Sequence, residues 1–427
     1  MELPVEMLQQ ILSYADFLGQ IRFRCVNKIT YEKLSVEDFY HIDHPYSKLL
    51  SDQILRTYPS ATKLYAGYNS KISDLNHLTR LELLNVAGQE SGVFDEGITN
   101  LTNLTELYVS CNPRITNLNH MTRLEILEIV DNAGMDMGFS RARPFIPMSL
   151  MNSGIATLTN LKKLNVGGNC RIKNVNHMTR LENLNAEWDC GIDDDGLRDL
   201  CLKKLKCTGN PKITDVCHMT RLERLDANED CGIGDSGIAK LNLTELDATD
   251  NYKITDVNHM NRLRILSAVG NCGIGENGIA KLTGLTDLYA RDNVMIRDVN
   301  HLTNLRVLYA NGEYCGIDDD GIADLNLTEL NVSYNRNITN IGFMDRLLVL
   351  KAEFNGCGIN DTSVANLNLV TLDVFDNPKI TSIKHMSNLR ILDAGGSSSI
   401  DDEEIAGLKL DKLCSAGNDK ITKKIDC

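Results

Sequence analysis

The sequence lacks several features that would place it in a common functional class. It has no run of 18 apolar residues, so no membrane-spanning helix is expected. Its net charge is −14, which is the wrong sign for a protein that binds nucleic-acid phosphates. Its first ten residues, MELPVEMLQQ, lack the basic and uninterrupted apolar segments of a secretory signal, so none is expected.

Aromatic residues are also scarce, at 5% of the chain, while the apolar fraction is 42% and mostly aliphatic. Such a composition suits a repeat protein, in which each unit buries its apolar face only on its neighbours. A block of about 42 residues does recur, and each block has a shorter and a longer half. The clearest copies are residues 241–262 and 263–282, in which leucines precede an apolar residue, then Asn or Cys, then Ile.

This spacing is the pattern of a leucine-rich repeat, with one short strand and one turn or helix per coil. It predicts an α/β solenoid of about 17 coils, with a curved parallel sheet on the concave face and helices and turns on the convex face. The solenoid is expected over residues 61–427, with an insert at 135–150, and residues 35–60 are expected to form a linker and N-terminal capping coil. An opening leucine is found at residues 81, 104, 124, 161, 181, 202, 222, 243, 263, 285, 305, 327, 347, 369, 389 and 410, after an imperfect copy at Ala61.

Five cysteines occupy one position of the longer halves. Two coils separate each neighbouring pair, or ~10 Å at the spacing of parallel strands. A disulfide requires Cα atoms about 4.4–6.8 Å apart, so these cysteines are predicted to be buried thiols, as expected in the cytoplasm or nucleus. They are Cys190, Cys231, Cys272, Cys315 and Cys357.

Histidines also recur once per block, and the same ~10 Å step prevents them from sharing a metal ion. We therefore predict that they hydrogen-bond to the backbone at turns. Counted from Asp193, positions six and twelve hold Arg198 and Lys204 instead of the Gly and Glu of a calcium loop, so the Asp-rich strings that begin at Asp193 and Asp318 are predicted to cap helices. No nucleophile with a placed base and no phosphate-binding loop is evident, so neither an enzyme nor a cofactor is predicted. The repeated histidines are His77, His120, His177, His218, His259, His301 and His385.

The exposed strand positions of the later coils carry aromatic and acidic side chains. Exposed aromatics beside carboxylates are typical of a surface that binds a protein of basic character. Scattered surface aromatics need no functional explanation, and this alternative stays open. The predicted target-binding residues are Trp188, Tyr289, Tyr309, Tyr334, Phe354, Phe375, Asp287 and Glu353.

Residues 1–34 differ from the repeats and are predicted to form three helices. The run Leu-Pro-x-Glu-x-Leu from Leu3, followed by Ile-Leu-Ser-Tyr from Ile11, resembles the F-box motif. The longer halves, Cys-Gly-Ile-x-Asp-x-Gly-Ile-Ala-x-Leu, resemble the cysteine-containing repeats of F-box/leucine-rich-repeat proteins. The motif's usual late Trp is replaced around Thr30 and Tyr31.

The resemblance implies the substrate-recognition subunit of a cullin–RING ubiquitin ligase, in which the repeats hold the target. The alternative is an interaction scaffold without ligase function, whose N-terminal helices only cap the array. In the first case a Skp-type adaptor would be contacted by Leu3, Pro4, Leu8, Ile11 and Leu12.

Overall fold

The computed structural model describes Gln20 and residues 35–41, 47–131 and 150–422. The predicted F-box segment, apart from Gln20, and residues 135–149 of the predicted insert lie outside the described residues. The chain divides into two compact units, residues 1–213 and 214–427. In the described residues no helix is long and apolar enough to cross a membrane.

Unit 1 contains a parallel sheet in which each strand pairs with the next along the chain. Strand β1 falls in the segment predicted to cap the array, and the next strand opens the predicted repeats. The strands are β1 (Asp38–Phe39), β2 (Lys63–Tyr65), β3 (Leu83–Asn85), β4 (Glu106–Tyr108), β5 (Ile126–Glu128), β6 (Lys163–Asn165), β7 (Asn183–Asn185) and β8 (Lys204–Lys206).

Unit 2 repeats the same arrangement, and its strands also pair in parallel and in chain order. Strands β2–β18 therefore match the seventeen predicted coils, which confirms the repeat pattern. The strands are β9 (Arg224–Asp226), β10 (Glu245–Asp247), β11 (Ile265–Ser267), β12 (Asp287–Tyr289), β13 (Val307–Tyr309), β14 (Glu329–Asn331), β15 (Val349–Lys351), β16 (Thr371–Asp373), β17 (Ile391–Asp393) and β18 (Lys412–Cys414).

A leucine at the centre of each of β2–β18 holds the sheet register. Leu288 aligns with Leu308, and both are fully buried. Because side chains alternate along a strand, the two residues that flank each central leucine point to the opposite side. We call the side formed by these flanking residues the strand face.

Single-turn helices follow the strand in most longer coils. Gly237 shows why they remain close to the preceding coil, because a Cβ there would lie 2.1 Å from the carbonyl oxygen of Thr214. The α-helices are α1 (Asp52–Leu55), α2 (Asp194–Leu197), α3 (Asp235–Ile238), α4 (Glu276–Ile279), α5 (Asp361–Val364) and α6 (Asp402–Ile405), and the 3-10 helices are Asp95–Ile98, Asn152–Gly154 and Asp320–Ile322.

The predicted helix caps are confirmed in the two Asp-rich strings. Asp193 accepts a hydrogen bond from the backbone N–H of Gly196, at 2.9 Å, and Asp318 accepts one from Gly321, at 3.1 Å. Asp235 behaves differently, because it is the first residue of α3 rather than its cap. Its carboxylate instead accepts hydrogen bonds from the backbone N–H and the hydroxyl of Thr255 in the next coil, at 2.7 and 2.5 Å.

Two kinds of coil alternate, and each has its own buried residue after the strand. In the longer coils this residue is usually the predicted cysteine, and all five of these thiols are buried. Burial raises the pKa of Cys190 to about 11 and that of Cys272 to about 12. In the shorter coils it is an asparagine: Asn293 Nδ2 donates to the carbonyl oxygens of Ala268 and Ile274, at 2.8 and 3.1 Å. Where this amide donates, it connects the shorter coil to the coil before it, whereas Asn169 Nδ2 has no hydrogen-bond partner among the described residues.

The repeated histidines mostly behave as predicted. In five of them Nε2 lies 3.0–3.1 Å from a backbone carbonyl oxygen of the previous coil. His77 is an exception, because its two buried ring nitrogens have no hydrogen-bond partner among the described residues. The five are His120, His177, His259, His301 and His385.

Candidate functional site

The strand face of unit 2 is acidic and aromatic between β12 and β17. Of the twelve flanking positions in these strands, four carry carboxylates and one carries a lysine, Lys351. The carboxylates are partly buried and therefore lie on the face rather than extending fully into solvent. They are Asp287, Glu329, Asp373 and Asp393.

Tyr289 and Tyr309 form one end of this surface. They are register partners on β12 and β13, and their ring centroids lie 5.0 Å apart in an edge-to-face arrangement. The Tyr309 hydroxyl donates to Glu329 Oε1 at 2.6 Å, and Lys351 Nζ lies 5.5 Å from the centroid of the Tyr309 ring. Burial, followed by the bond to Glu329, raises the pKa of Tyr309 well above its ordinary value. The ring is therefore a neutral donor held by a carboxylate.

Three further aromatic rings form the other end. The rings of Tyr334 and Phe354 are stacked at 4.0 Å with an interplanar angle of 17°. Phe354 meets Phe375 edge-on at 5.9 Å. A Cβ on Gly395 would lie 2.8 Å from Cδ2 of Phe375, so the absence of a side chain at Gly395 leaves room for this ring. Sequence reasoning thus chose five aromatics that the structure arranges as two contacting groups.

Tyr334 and Phe354 occupy a backbone conformation that bulky residues rarely adopt. Their φ angles are 62° and 69°, in the left-handed region. Most other coils place Gly or Asp at this position, although Tyr68, Cys111, Trp188 and Glu229 also occupy it. Asp250 uses its carboxylate to accept a hydrogen bond from the backbone N–H of Asn271, at 2.8 Å. An aromatic ring cannot make that bond, and the conformation costs about 1–3 kcal/mol. Such strain is common at functional sites, and it supports a functional interpretation of this pair.

Glu353 and Asp373 form a carboxyl pair beside these rings. The pKa of Glu353 is raised to about 7, first by burial and then by the charge of Asp373 and a hydrogen bond to it. Burial also raises the pKa of Asp373, although its carboxylate accepts a hydrogen bond from the backbone N–H of Phe375 at 3.2 Å. Burial and the neighbouring charge therefore favour the protonated form of Glu353.

The remaining predicted target-binding residues are placed as follows. Asp287 lies on β12, where its Oδ2 accepts a hydrogen bond from the Thr286 hydroxyl at 2.5 Å. Trp188 lies in unit 1 and has a φ of 58°. Its ring covers Gly209, and its buried Nε1 has no partner among the described residues. The role of Trp188 in target binding stays a prediction.

Two residues of the surface were not predicted, namely Lys351 and Asp393. Lys351 aligns with Asp373 across β15 and β16, and Asp373 aligns with Asp393 across β16 and β17. The repeat spacing could have placed all three in one row, because they share a coil position. The predicted residues instead lie mostly at neighbouring positions, because those positions carry aromatic side chains.

The described residues show no grouping that would suggest metal chemistry. Among them, no three His, Cys, Asp or Glu side chains are arranged to hold an ion. An open groove of about 520 Å³ lies elsewhere in unit 2, beside α4, and is lined by residues that include Asp256, Glu276, Met295 and Arg297.

No protein-family model and no curated protein matches the chain. Among solved structures, it is similar to TLR13 in a TLR13–ssRNA13 complex, at 16% identity over 90% of this chain and 66% of that one, with a TM-score of 0.52. It is also similar to a leucine-rich-repeat protein of Leptospira interrogans, at 16% identity over 93% and 99%, with a TM-score of 0.42. An internalin of Listeria monocytogenes matches at 20% identity over 96% and 93%, with a TM-score of 0.37. At such identities the likeness concerns the fold alone, and it agrees with the leucine-rich-repeat architecture described above.

Proposed function

We propose that the chain is a protein-interaction scaffold that holds a basic segment of a partner protein on the strand face of unit 2. The observation that carries this proposal is the set of contacting aromatic rings among carboxylates on β12–β17. We call this set the aromatic–acidic surface. It comprises Tyr289, Tyr309, Tyr334, Phe354 and Phe375 with Asp287, Glu329, Glu353, Asp373 and Asp393.

Two physical arguments support a protein partner. Large aromatic side chains in contact lose little conformational freedom on binding and commonly provide most of the binding energy of an interface. The carboxylates around them would attract and orient cationic side chains. The TLR13 complex contains RNA, but a face with four carboxylates and one lysine on its strands would repel phosphates.

A comparative capture experiment tests this proposal. The full chain, the double variant Tyr309→Ala/Phe354→Ala and the control Asn165→Ala/Asn185→Ala would be immobilised and exposed to the same extract. We expect basic proteins that the wild type and the control retain and the Tyr309/Phe354 variant loses. If the retained proteins bind all three chains equally, the aromatic–acidic surface is not the binding site.

We also propose that residues 1–34 are an F-box, which would make the chain the substrate-recognition subunit of a cullin–RING ubiquitin ligase in the cytoplasm or nucleus. The support is the sequence motif that begins at Leu3 and Pro4 and continues through Leu8, Ile11 and Leu12. The solenoid would then hold the target while the F-box contacts a Skp-type adaptor.

The adaptor interaction can be tested independently of the target. Leu8→Ala/Ile11→Ala in the full chain should abolish retention of a purified Skp-type adaptor, because these apolar side chains would be buried against it. Thermal unfolding of the isolated variant should remain close to that of the wild type. A large loss of thermal stability together with no adaptor binding by the wild type would instead favour helices that only cap the array.

A further inference from the structure

The carboxyl pair described above lies within the aromatic–acidic surface. The backbone N–H groups on either side of Glu353, at Ala352 and Phe354, donate to the carbonyl oxygens of Asp373 and Phe375, at 2.8 and 2.7 Å, so Glu353 lies beside Asp373 and Phe375 on the neighbouring coil. Both acidic side chains are partly buried. A cationic side chain that reached these rings would therefore meet the pair.

The charged groups around the pair come from three strands and from the segment that follows β16. Lys351 on β15 favours the ionised forms of both acids, whereas Asp393 on β17 opposes them. On β14, Glu329 is bonded to Tyr309. Asp376, beyond β16, accepts hydrogen bonds from the backbone N–H and the hydroxyl of Ser397, at 2.8 and 3.1 Å. One lysine thus faces several carboxylates, which leaves the pair short of positive charge until a partner supplies it.

We propose that Glu353 and Asp373 share a proton in the free protein and release it when a cationic side chain of the partner binds, so that capture of the partner is linked to pH. This inference rests on the proposed function, because it concerns regulation of the same surface. A cation between the carboxyl groups stabilises their doubly ionised form, which the free protein reaches only by losing the proton from Glu353.

The direction of the effect follows from linkage. Below a pH of about 7 the free pair holds its proton, and binding must displace it. Affinity should therefore rise with pH and become constant above the titration of Glu353. For one proton released from a group with that pKa, affinity should be about tenfold higher at pH 8 than at pH 6.

The first experiment examines the free protein. Carbon-13 NMR of side-chain-labelled glutamate, with Glu353→Gln to assign the signal, should show one Glu carboxyl that titrates near neutrality and disappears in the variant. If every Glu carboxyl titrates in the usual acidic range, the proton linkage is overturned whatever the protein binds.

The second experiment measures binding of a tetramethylrhodamine-labelled oligo-arginine peptide, whose label does not titrate between pH 6 and pH 8, with an oligo-glutamate peptide as the charge control. Between pH 6 and pH 8 the wild type should gain about tenfold in affinity for oligo-arginine, Glu353→Gln less than twofold, and Asp287→Asn about as much as the wild type. The last variant removes a carboxylate from the same surface without touching the pair.

The outcomes separate the two proposals. The proton linkage is overturned if binding by the wild type does not change with pH, or if binding by Glu353→Gln changes equally. Either result would still be compatible with a basic partner. If oligo-arginine does not bind at any pH, the proposal of a basic partner is overturned, and the proton linkage is overturned with it. Because the probe contains no histidine, a pH effect that Glu353→Gln removes must come from the protein.

Discussion

The strand face of β6–β8 in unit 1 differs from that of β12–β17 in unit 2, although the strands themselves are built alike. On β6–β8 of unit 1 the flanking positions carry three lysines and three asparagines, without a carboxylate or an aromatic ring. On β12–β17 of unit 2 they carry four carboxylates, two tyrosines and one lysine. Each face lies over a row of buried leucines within its own unit, which includes Leu184 in unit 1 and Leu350 in unit 2. The fold therefore leaves the chemistry of the face free to vary, and two residues per strand decide what each segment can bind.

The largest expected effect concerns the buried leucines that lie behind each strand face. Leu350→Ala in unit 2 and Leu184→Ala in unit 1 should each lower the free energy of unfolding by about 2–5 kcal/mol, because each leaves a cavity in an aliphatic core. Urea unfolding of the two variants measures this. A loss in only one unit would show that the two frameworks are not equivalent.

The second prediction concerns the exposed side chains by which the two strand faces differ. Tyr309→Ala/Phe354→Ala should reduce partner affinity by well over about 1 kcal/mol, as truncation of interface aromatics usually does. The lysine–asparagine face supplies the matched control, Asn165→Ala/Asn185→Ala, which should leave affinity within about twofold. Titration of a captured partner against the three chains measures both values.

The third prediction distinguishes long-range electrostatic attraction of the partner from direct contact with it. Charge reversal at Asp287 and Glu353 should mainly slow association, and the difference from the wild type should shrink as salt is raised. Stopped-flow association at several ionic strengths measures this effect. Lys204→Glu on the unit 1 face reverses the charge in the opposite direction and should not slow association. If only the dissociation rate changed, the carboxylates would instead contact the partner directly.

The smallest effect concerns stability and pH. The pKa of Glu353 in the folded protein, about 7, lies above its ordinary value of 4.5, so the folded state keeps a proton that the unfolded state releases. The wild type should therefore lose stability as pH rises from 4.5 to 7, whereas Glu353→Gln should not. The pair is partly exposed, so the difference should be only about 1 kcal/mol. Urea unfolding at pH 4 and pH 8 tests this difference. An equal change in the free energy of unfolding between the two pH values in both proteins would contradict it.

The repeat could be predicted from sequence because its determinants are local and repeated. Leucine spacing predicted the strands β2–β18, and the repeated cysteine position predicted five thiols that the structure buries. The carboxyl pair could not be predicted in this way. Glu353 and Asp373 are twenty residues apart, and their shared proton depends on burial and on the register of β15 with β16. The positive φ of Phe354 recurs with the repeat, but the packing of its ring on Tyr334 and Phe375 depends on side-chain contacts that the repeat spacing does not specify.

The alternation of asparagine and cysteine coils has a consequence for how such a chain can grow. Asn251 donates to carbonyl oxygens of the previous coil, at Ala227 and Ile233, and Lys253 Nζ donates to that of Cys231 at 2.9 Å. A duplication or deletion of a whole two-coil block keeps every such donor over its acceptor. Loss of a single coil would instead place two coils of one kind together and leave buried amides or carbonyls without partners. The heritable module is thus the pair of coils, and recombination between blocks can exchange segments of the binding face without rebuilding the core.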